Sequence, residues 1–140
     1  MMALYLLDTS TLTLLHRRHP RVTANHAAHA GEPIGITTTT VEESIGGWLA
    51  LLRRLKTNLQ KAQASQSLAD AVAFLAYLPI YPMTESMLDR FDRLVSMKLN
   101  VGTMDLKIAV VALELGGIVV TQNVRDFRRI PSLSWEDWSV

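Results

Sequence analysis

The spacing of hydrophobic and polar positions along the chain predicts short buried strands that alternate with amphipathic helices. Residues 3–7 (ALYLL) predict the first strand, and the leucines that follow predict a helix that Pro20 ends. The β-branched run ITTTTV comes after a glycine–proline turn signal and predicts a second strand over about 35–41. From Glu42 onwards the apolar residues recur at helical spacing, and residues 60–78 predict the second helix of the same hairpin.

The second half of the chain continues this alternation. Thr84 and Ser86 are both candidate N-caps of one helix, and GTMDLKIAVVALELGG predicts the most apolar helix, with two glycines as its C-cap signal. The remaining predicted elements are an extended segment over 79–84, a strand at IVVT, a loop with one helical turn at QNVRDFRRIP and an edge strand at SLSWEDW. This order predicts one compact α/β domain over residues 1–140 with a mainly parallel sheet.

The composition of the chain argues against several classes of protein. It contains no cysteine, which excludes a disulfide framework, a thiolate zinc site and a cysteine nucleophile, and which fits a reducing, cytosolic compartment. No apolar run reaches the roughly 18–20 residues that span a bilayer, and no signal-peptide pattern opens the chain. We therefore expect a cytoplasmic protein without membrane contact. The net charge of +1 argues against a strongly basic nucleic-acid module, although arginines and lysines cluster locally.

Polar side chains follow the predicted strands at the edge of the sheet where ligands of open parallel sheets bind. On a helical wheel, Asp105 lies on the same side as Ile108 and Ala109, which turns its carboxylate inward. The polar side chains expected at or near this edge are Asp8, Glu42, Glu43, Asp105, Asn123 and Asp126.

These residues have two interpretations. Taken singly, Asp8 is the N-cap of a helix, Asp105 is an N-cap or first-turn acid, the glutamates are first-turn acids, and Asp126 is a solvated loop residue. Taken together, inward carboxylates without a buried base repel one another, so that one would keep its proton. A hard divalent cation removes this conflict, because Mg²⁺ prefers oxygen ligands and can activate water and clamp a phosphate. The second interpretation predicts a metal-dependent nuclease.

Four sequence blocks carry a resemblance to a known family. LLDTSTL, TTVEESIGGWL, GTMDLKIAVVALELGG and VVTQNVRDFRRIPSLSWEDW occur in that order and span nearly the whole chain. Together, and with the patterns DxxIA and TxNxxDF that they contain, they resemble the signature blocks of PIN-domain ribonucleases, specifically VapC-type toxins of type II toxin–antitoxin systems.

The resemblance implies a three-layer α/β/α fold with a mainly parallel sheet of four to five strands. It also implies Mg²⁺- or Mn²⁺-dependent hydrolysis of RNA phosphodiester bonds, a cognate antitoxin that blocks the site, and a homodimer. One alternative is a catalytically silent PIN-like module that binds RNA or protein. Another is a phosphohydrolase with Asp8 as nucleophile, but such enzymes typically use Asp-x-Asp and residue 10 is serine.

By position in these blocks, the resemblance implies three catalytic, metal-binding carboxylates. Asp8 is the first and Asp105 the third, and Glu43 is the second because it stands four residues before Gly47. The helical wheel alone instead favours Glu42, which lies nearer the apolar stripe.

The fourth position of the implied site is shared by two residues. Many family members carry aspartate where this chain has Asn123, and the next acid is Asp126. Asparagine can ligate through its carbonyl oxygen or hold a metal-bound water but adds no charge, so one tightly held metal is expected rather than two. Ser10 stands where family members often carry asparagine, and its hydroxyl is expected to orient Asp8 or a metal-bound water. The candidate contacts to RNA phosphates beside the fourth block are Arg125, Arg128 and Arg129.

Overall fold

A computed structural model describes residues 2–140 as an α/β structure with five strands and seven helices. The strands are β1 (Tyr5–Leu7), β2 (Ile34–Thr37), β3 (Ile80–Tyr81), β4 (Ile118–Val120) and β5 (Ser134–Glu136). The helices are α1 (Thr9–His16), α2 (Pro20–Ala28), α3 (Thr38–Arg54), α4 (Asn58–Leu75), α5 (Glu85–Ser96), α6 (Thr103–Leu115) and α7 (Val124–Phe127). All neighbouring strands are parallel, in the order β3-β2-β1-β4-β5.

The alternation of side chains along the central strands produces two separate cores. Leu6 and Val119 point into a core with α5 and α6, whereas Tyr5, Leu7 and Val120 point into a core with α1, α2 and α4. Both faces of the sheet are therefore covered by helices, as a parallel sheet requires. The predicted three-layer α/β/α fold with a parallel sheet of four to five strands is confirmed, with five strands.

Several helix ends follow their sequence signals. Of the two candidate N-caps of α5, Thr84 has this role, because its hydroxyl accepts a hydrogen bond from the Met87 N–H at 3.2 Å. Gly116 ends α6 with a φ of 66°, in the left-handed region that favours glycine. Over residues 2–140, no helix combines the length and the apolar character that crossing a membrane requires.

The prediction that Pro20 ends a helix is wrong, because Pro20 begins α2. His19 is the N-cap of this helix, and its Nδ1 accepts a hydrogen bond from the Val22 N–H at 3.3 Å. Proline suits the first turn of a helix, where a backbone N–H has no partner within the helix. The segment that follows α1 is therefore helical, which hydrophobic spacing did not predict.

The prediction of a second strand that reaches residue 41 is also wrong. Thr37 is the last residue of β2 and the N-cap of α3, and its hydroxyl accepts a hydrogen bond from the Thr40 N–H at 3.3 Å. Threonine favours strands but is also a strong N-cap, and in this run the cap ends the strand. The helix that was predicted from Glu42 thus starts at Thr38, one turn earlier.

Candidate metal centre

Asp8 lies at the carboxyl end of β1 and caps the helix that follows. Its backbone N–H donates to Val120 O at 3.0 Å, and its Oδ1 accepts from the Thr11 N–H and the Ser10 hydroxyl, both at 2.9 Å. The residue is only 4% exposed, and no basic side chain is paired with it among residues 2–140. Asp8 is therefore an N-cap, and its other oxygen, Oδ2, is left for a further partner.

Asp105 lies at the centre of a group of carboxylates. The pKa of its carboxyl is raised from 3.8 to about 6, mainly by burial and in addition by the nearby charges of Asp8, Glu43 and Asp126. The hydrogen bond that the Asn123 side chain donates to Asp105 Oδ2, at 3.1 Å, acts in the opposite direction. Side chains from three other segments of the chain thus act on one half-buried carboxyl group.

Glu43, rather than Glu42, faces this group. The Thr9 hydroxyl donates to Glu43 Oε1 at 2.6 Å, and Glu43 is half-buried while Glu42 is exposed. The helical wheel favoured Glu42 because it used the apolar stripe of the later turns of α3. The start of the helix, however, contacts α1 through Thr9, so its inward direction differs from that stripe.

Asn123 donates hydrogen bonds to two of the acids. Its backbone N–H is held by the hydroxyl of buried Thr121 at 2.8 Å, and its side chain makes no cap bond to α7. The side-chain Nδ2 instead donates to Asp105 Oδ2 at 3.1 Å and to Asp126 Oδ2 at 2.9 Å. The amide nitrogen, and not the carbonyl oxygen considered from the sequence, therefore faces these two acids.

Arg129 is paired with Asp126. Its Nη1 donates to Asp126 Oδ1 at 3.2 Å and to the backbone oxygen of Asn100 at 2.9 Å. The three-residue spacing between Asp126 and Arg129 in helical backbone was a sequence signal for this pair that was not used. Of the three arginines considered as RNA contacts, Arg125 and Arg128 are exposed and Arg129 is half-buried.

The residues at this edge suit a divalent cation in their charge and their donor atoms. Asp8, Glu43 and Asp105 supply carboxylate oxygens, and the charge of Arg129 compensates Asp126 rather than these three acids. Within the described chain, residues 2–140, no three acidic or histidine side chains are already arranged around one ion position. Binding therefore requires a shift that brings the free oxygens of these carboxylates towards one ion position.

A groove of about 400 Å³ adjoins this edge of the sheet. Thr9 and Glu43 lie at its acidic end, while Arg17 and Arg54 are exposed along it and form no ion pair within residues 2–140. Its apolar lining includes Leu12, Trp48, Leu51 and Phe74. The groove lies between α1, α3 and α4. Its lining could not be predicted from the sequence, because the residues that form it are far apart along the chain.

Comparisons with known proteins are consistent across family, sequence and structure. The family model described as PIN domain matches residues 5–133. Ribonuclease VapC1 of Haemophilus influenzae strain R2866 is 27% identical over 141 residues, which cover 97% of this chain and 98% of that protein. A chain in the crystal structure of VapBC2 from Rickettsia felis bound to a promoter DNA fragment is similar with a TM-score of 0.74 and 28% identity, covering 96% of this chain and 98% of that one. A chain of DNA-bound VapBC from Salmonella typhimurium has a TM-score of 0.75 and 26% identity, with 99% of both chains covered.

Proposed function

This chain belongs to the PIN domain family, and from that premise we propose that it is a Mg²⁺- or Mn²⁺-dependent endoribonuclease that acts as the toxin of a toxin–antitoxin pair. The name of the Haemophilus relative, a ribonuclease, supports the activity. The VapBC assemblies among the similar structures support the toxin role.

One observation carries the catalytic part of the proposal. The half-buried Asp105 carboxyl has its pKa raised to about 6 by burial and by the charges of Asp8, Glu43 and Asp126. An arrangement of this kind is unfavourable in the absence of positive charge, because like charges in a desolvated site repel one another. A cation held by Asp8, Glu43 and Asp105 would remove that cost.

The proposed roles of the residues follow from their contacts. A bound divalent cation would lower the pKa of a water molecule and neutralise charge that develops on the phosphodiester. Asp8 and Asp105 are held by hydrogen bonds to one oxygen each, from Ser10 and Thr11 for the first and from Asn123 for the second. Each can thus present its other oxygen without losing its orientation, which limits the reorganisation that binding requires.

The groove beside Glu43 is the proposed path of the RNA strand. Arg17 and Arg54 would contact phosphates, and the Trp48 ring would offer a surface on which a base stacks. The acidic end of the groove would then hold the scissile phosphate together with the cation. Without the cation, the negative phosphate and the carboxylates would repel each other.

The proposed partners of the protein are its RNA substrate, a cognate antitoxin protein and a second copy of the chain. VapBC complexes among the similar structures support the antitoxin. The homodimer stays a prediction, which light scattering of the purified protein tests directly.

The experiment that tests the function is RNA cleavage by the purified chain with Mg²⁺ or Mn²⁺, with EDTA, and with the variants Asp8→Asn and Asp105→Asn. We expect cleavage only with metal and with both carboxylates present. RNA that stays intact with metal while the folded protein still binds it would instead support the silent binding module. A phosphate bound covalently to Asp8 would support the phosphohydrolase.

A further inference from the structure

A chain of hydrogen bonds runs outward from Asp105 through the residues considered for the fourth position of the site. Asn123 donates to Asp105 and to Asp126, and Arg129 in turn donates to Asp126 and to the backbone of Asn100. Asn100 lies in the loop that precedes α6, the helix that carries Asp105. This series of hydrogen bonds therefore starts at α6 and ends at the loop that precedes α6.

We propose that Asn123 is a positioning residue for Asp105, and that Asp126 is the partner of Arg129 and not a ligand of the metal. This inference rests on the proposed function, since it concerns how the chain prepares the same site for a cation. It gives the two residues of the fourth position separate roles: one orients a ligand, and the other holds the orienting amide.

The use of the carboxylate oxygens distinguishes Asp126 from the three proposed ligands. Asp126 accepts hydrogen bonds on both oxygens, from Arg129 on Oδ1 and from Asn123 on Oδ2. Within residues 2–140, Asp8 and Asp105 each accept side-chain or capping hydrogen bonds on a single oxygen. Glu43 follows the same pattern, with Oε1 alone occupied, by Thr9. Three carboxylates thus keep an oxygen available, and Asp126 does not.

The amide of Asn123 has a property that an aspartate at the same position lacks. Its Nδ2 carries two hydrogens, so that it can bridge Asp105 and Asp126 and hold two acids close together without adding charge. An ionised aspartate has no hydrogen to donate, so it could not bridge the carboxylates of Asp105 and Asp126, and its negative charge would repel both. Residues that orient a metal-ligating side chain through a hydrogen bond typically account for about 10- to 100-fold in metal affinity.

Calorimetric titration of the full chain with Mn²⁺ alone tests this assignment. The variants are Asn123→Ala, the charge-neutral double variant Asp126→Asn/Arg129→Gln, and Asp105→Asn as the reference for a lost ligand. Arg128→Gln, an exposed arginine in the same segment, is the matched control. The dissociation constant gives the affinity, and the stoichiometry gives the fraction of protein that is folded. A variant that is partly unfolded is thereby distinguished from one whose folded site binds Mn²⁺ more weakly.

We expect Asn123→Ala to weaken Mn²⁺ binding about 10- to 100-fold at unchanged stoichiometry. The double variant should stay within about threefold of the wild type, since Asp126→Asn keeps a side-chain oxygen that can accept the Asn123 hydrogen bond, and only a partly exposed ion pair is lost. Wild-type affinity in Asn123→Ala, or a loss in the double variant as large as that in Asp105→Asn, would overturn the assignment while leaving the proposed function intact. A wild-type chain that binds no Mn²⁺ would overturn both.

Discussion

The Thr9 hydroxyl donates a 2.6 Å hydrogen bond to Glu43 Oε1 and so joins the first residue of α1 to α3 across 34 positions of sequence. Thr9 directly follows Asp8, which caps the same helix. The first and second proposed ligands are therefore coupled through one short segment, and the orientation of Glu43 depends on how α1 begins.

Loss of the Thr9 hydroxyl is expected to weaken metal binding. Thr9→Val keeps the shape of the side chain but removes the donor to Glu43, so Mn²⁺ affinity should fall about tenfold and the free energy of unfolding by about 1 kcal/mol. Thr13→Val is the matched control, because among residues 2–140 the Thr13 hydroxyl bonds only the backbone oxygen of Thr9. Calorimetry and urea unfolding measure the two quantities. Equal affinities of the two variants would contradict the role of Thr9.

Two substitutions of Asp8 separate its cap from its charge. Asparagine is as good an N-cap as aspartate, so Asp8→Asn should retain the stability of the wild type while RNA cleavage falls to the level seen with EDTA. Asp8→Ala should in addition lower the free energy of unfolding by about 0.5–2 kcal/mol. Urea unfolding and a cleavage assay on both variants measure these effects. Full activity in Asp8→Asn would mean that the residue is a cap alone.

The two adjacent glutamates provide a matched pair. Glu43→Gln should abolish metal-dependent cleavage and reduce the rise in melting temperature that Mg²⁺ produces, because a ligand that binds only the folded state stabilises it. Glu42→Gln removes the same charge from an exposed position and should behave as the wild type does. Similar losses in both variants would refute the choice of Glu43.

Metal affinity and the stability of the metal-free chain should change with pH in opposite directions. Burial raises the pKa of Asp105 from 3.8 to about 6, so the folded state keeps a proton that the unfolded state has already lost. Without metal, the contribution of Asp105 to stability is fully present below about pH 4 and is lost as the pH rises to about 6.

A cation competes with this proton, so Mn²⁺ affinity should rise between about pH 5 and pH 7 and then level off. Calorimetry across this range and metal-free thermal melting measure the two trends. Asp105→Asn should flatten the stability trend, since it removes the titrating group; an unchanged trend in that variant would assign it to another group.

The basic residues of the groove should determine how RNA binding depends on salt. In the background of Asp105→Asn, Arg54→Gln is expected to reduce the slope of log affinity against log salt by about 0.7, the value for one lost phosphate contact on a single strand. Arg53→Gln, on the same helix but outside the groove, is the control. Equal slopes for the two variants would contradict the proposal that the RNA strand follows the groove.

Most of the fold could be predicted from the sequence because it depends on local pattern. Continuous apolar or β-branched runs predicted the strands, apolar residues at spacings of three to four predicted most helices, and the order of elements predicted a mainly parallel sheet. The predicted boundaries at Pro20 and at Thr37 were wrong. Each of these residues favours two local structures, and the choice between strand and cap, or between helix end and helix start, depends on neighbours that local pattern does not include.

The sequence by itself determined which acids follow the ends of strands, and the order of its four blocks determined the family resemblance. Only the tertiary structure decided that Glu43 faces Thr9, that Asn123 donates to two carboxylates and that Arg129 compensates Asp126. Spacing along a chain specifies which side chains share one face of one element. Which elements then meet, and in which orientation, depends on the packing of α1, α3, α6 and the loop after β4 around the same edge of the sheet.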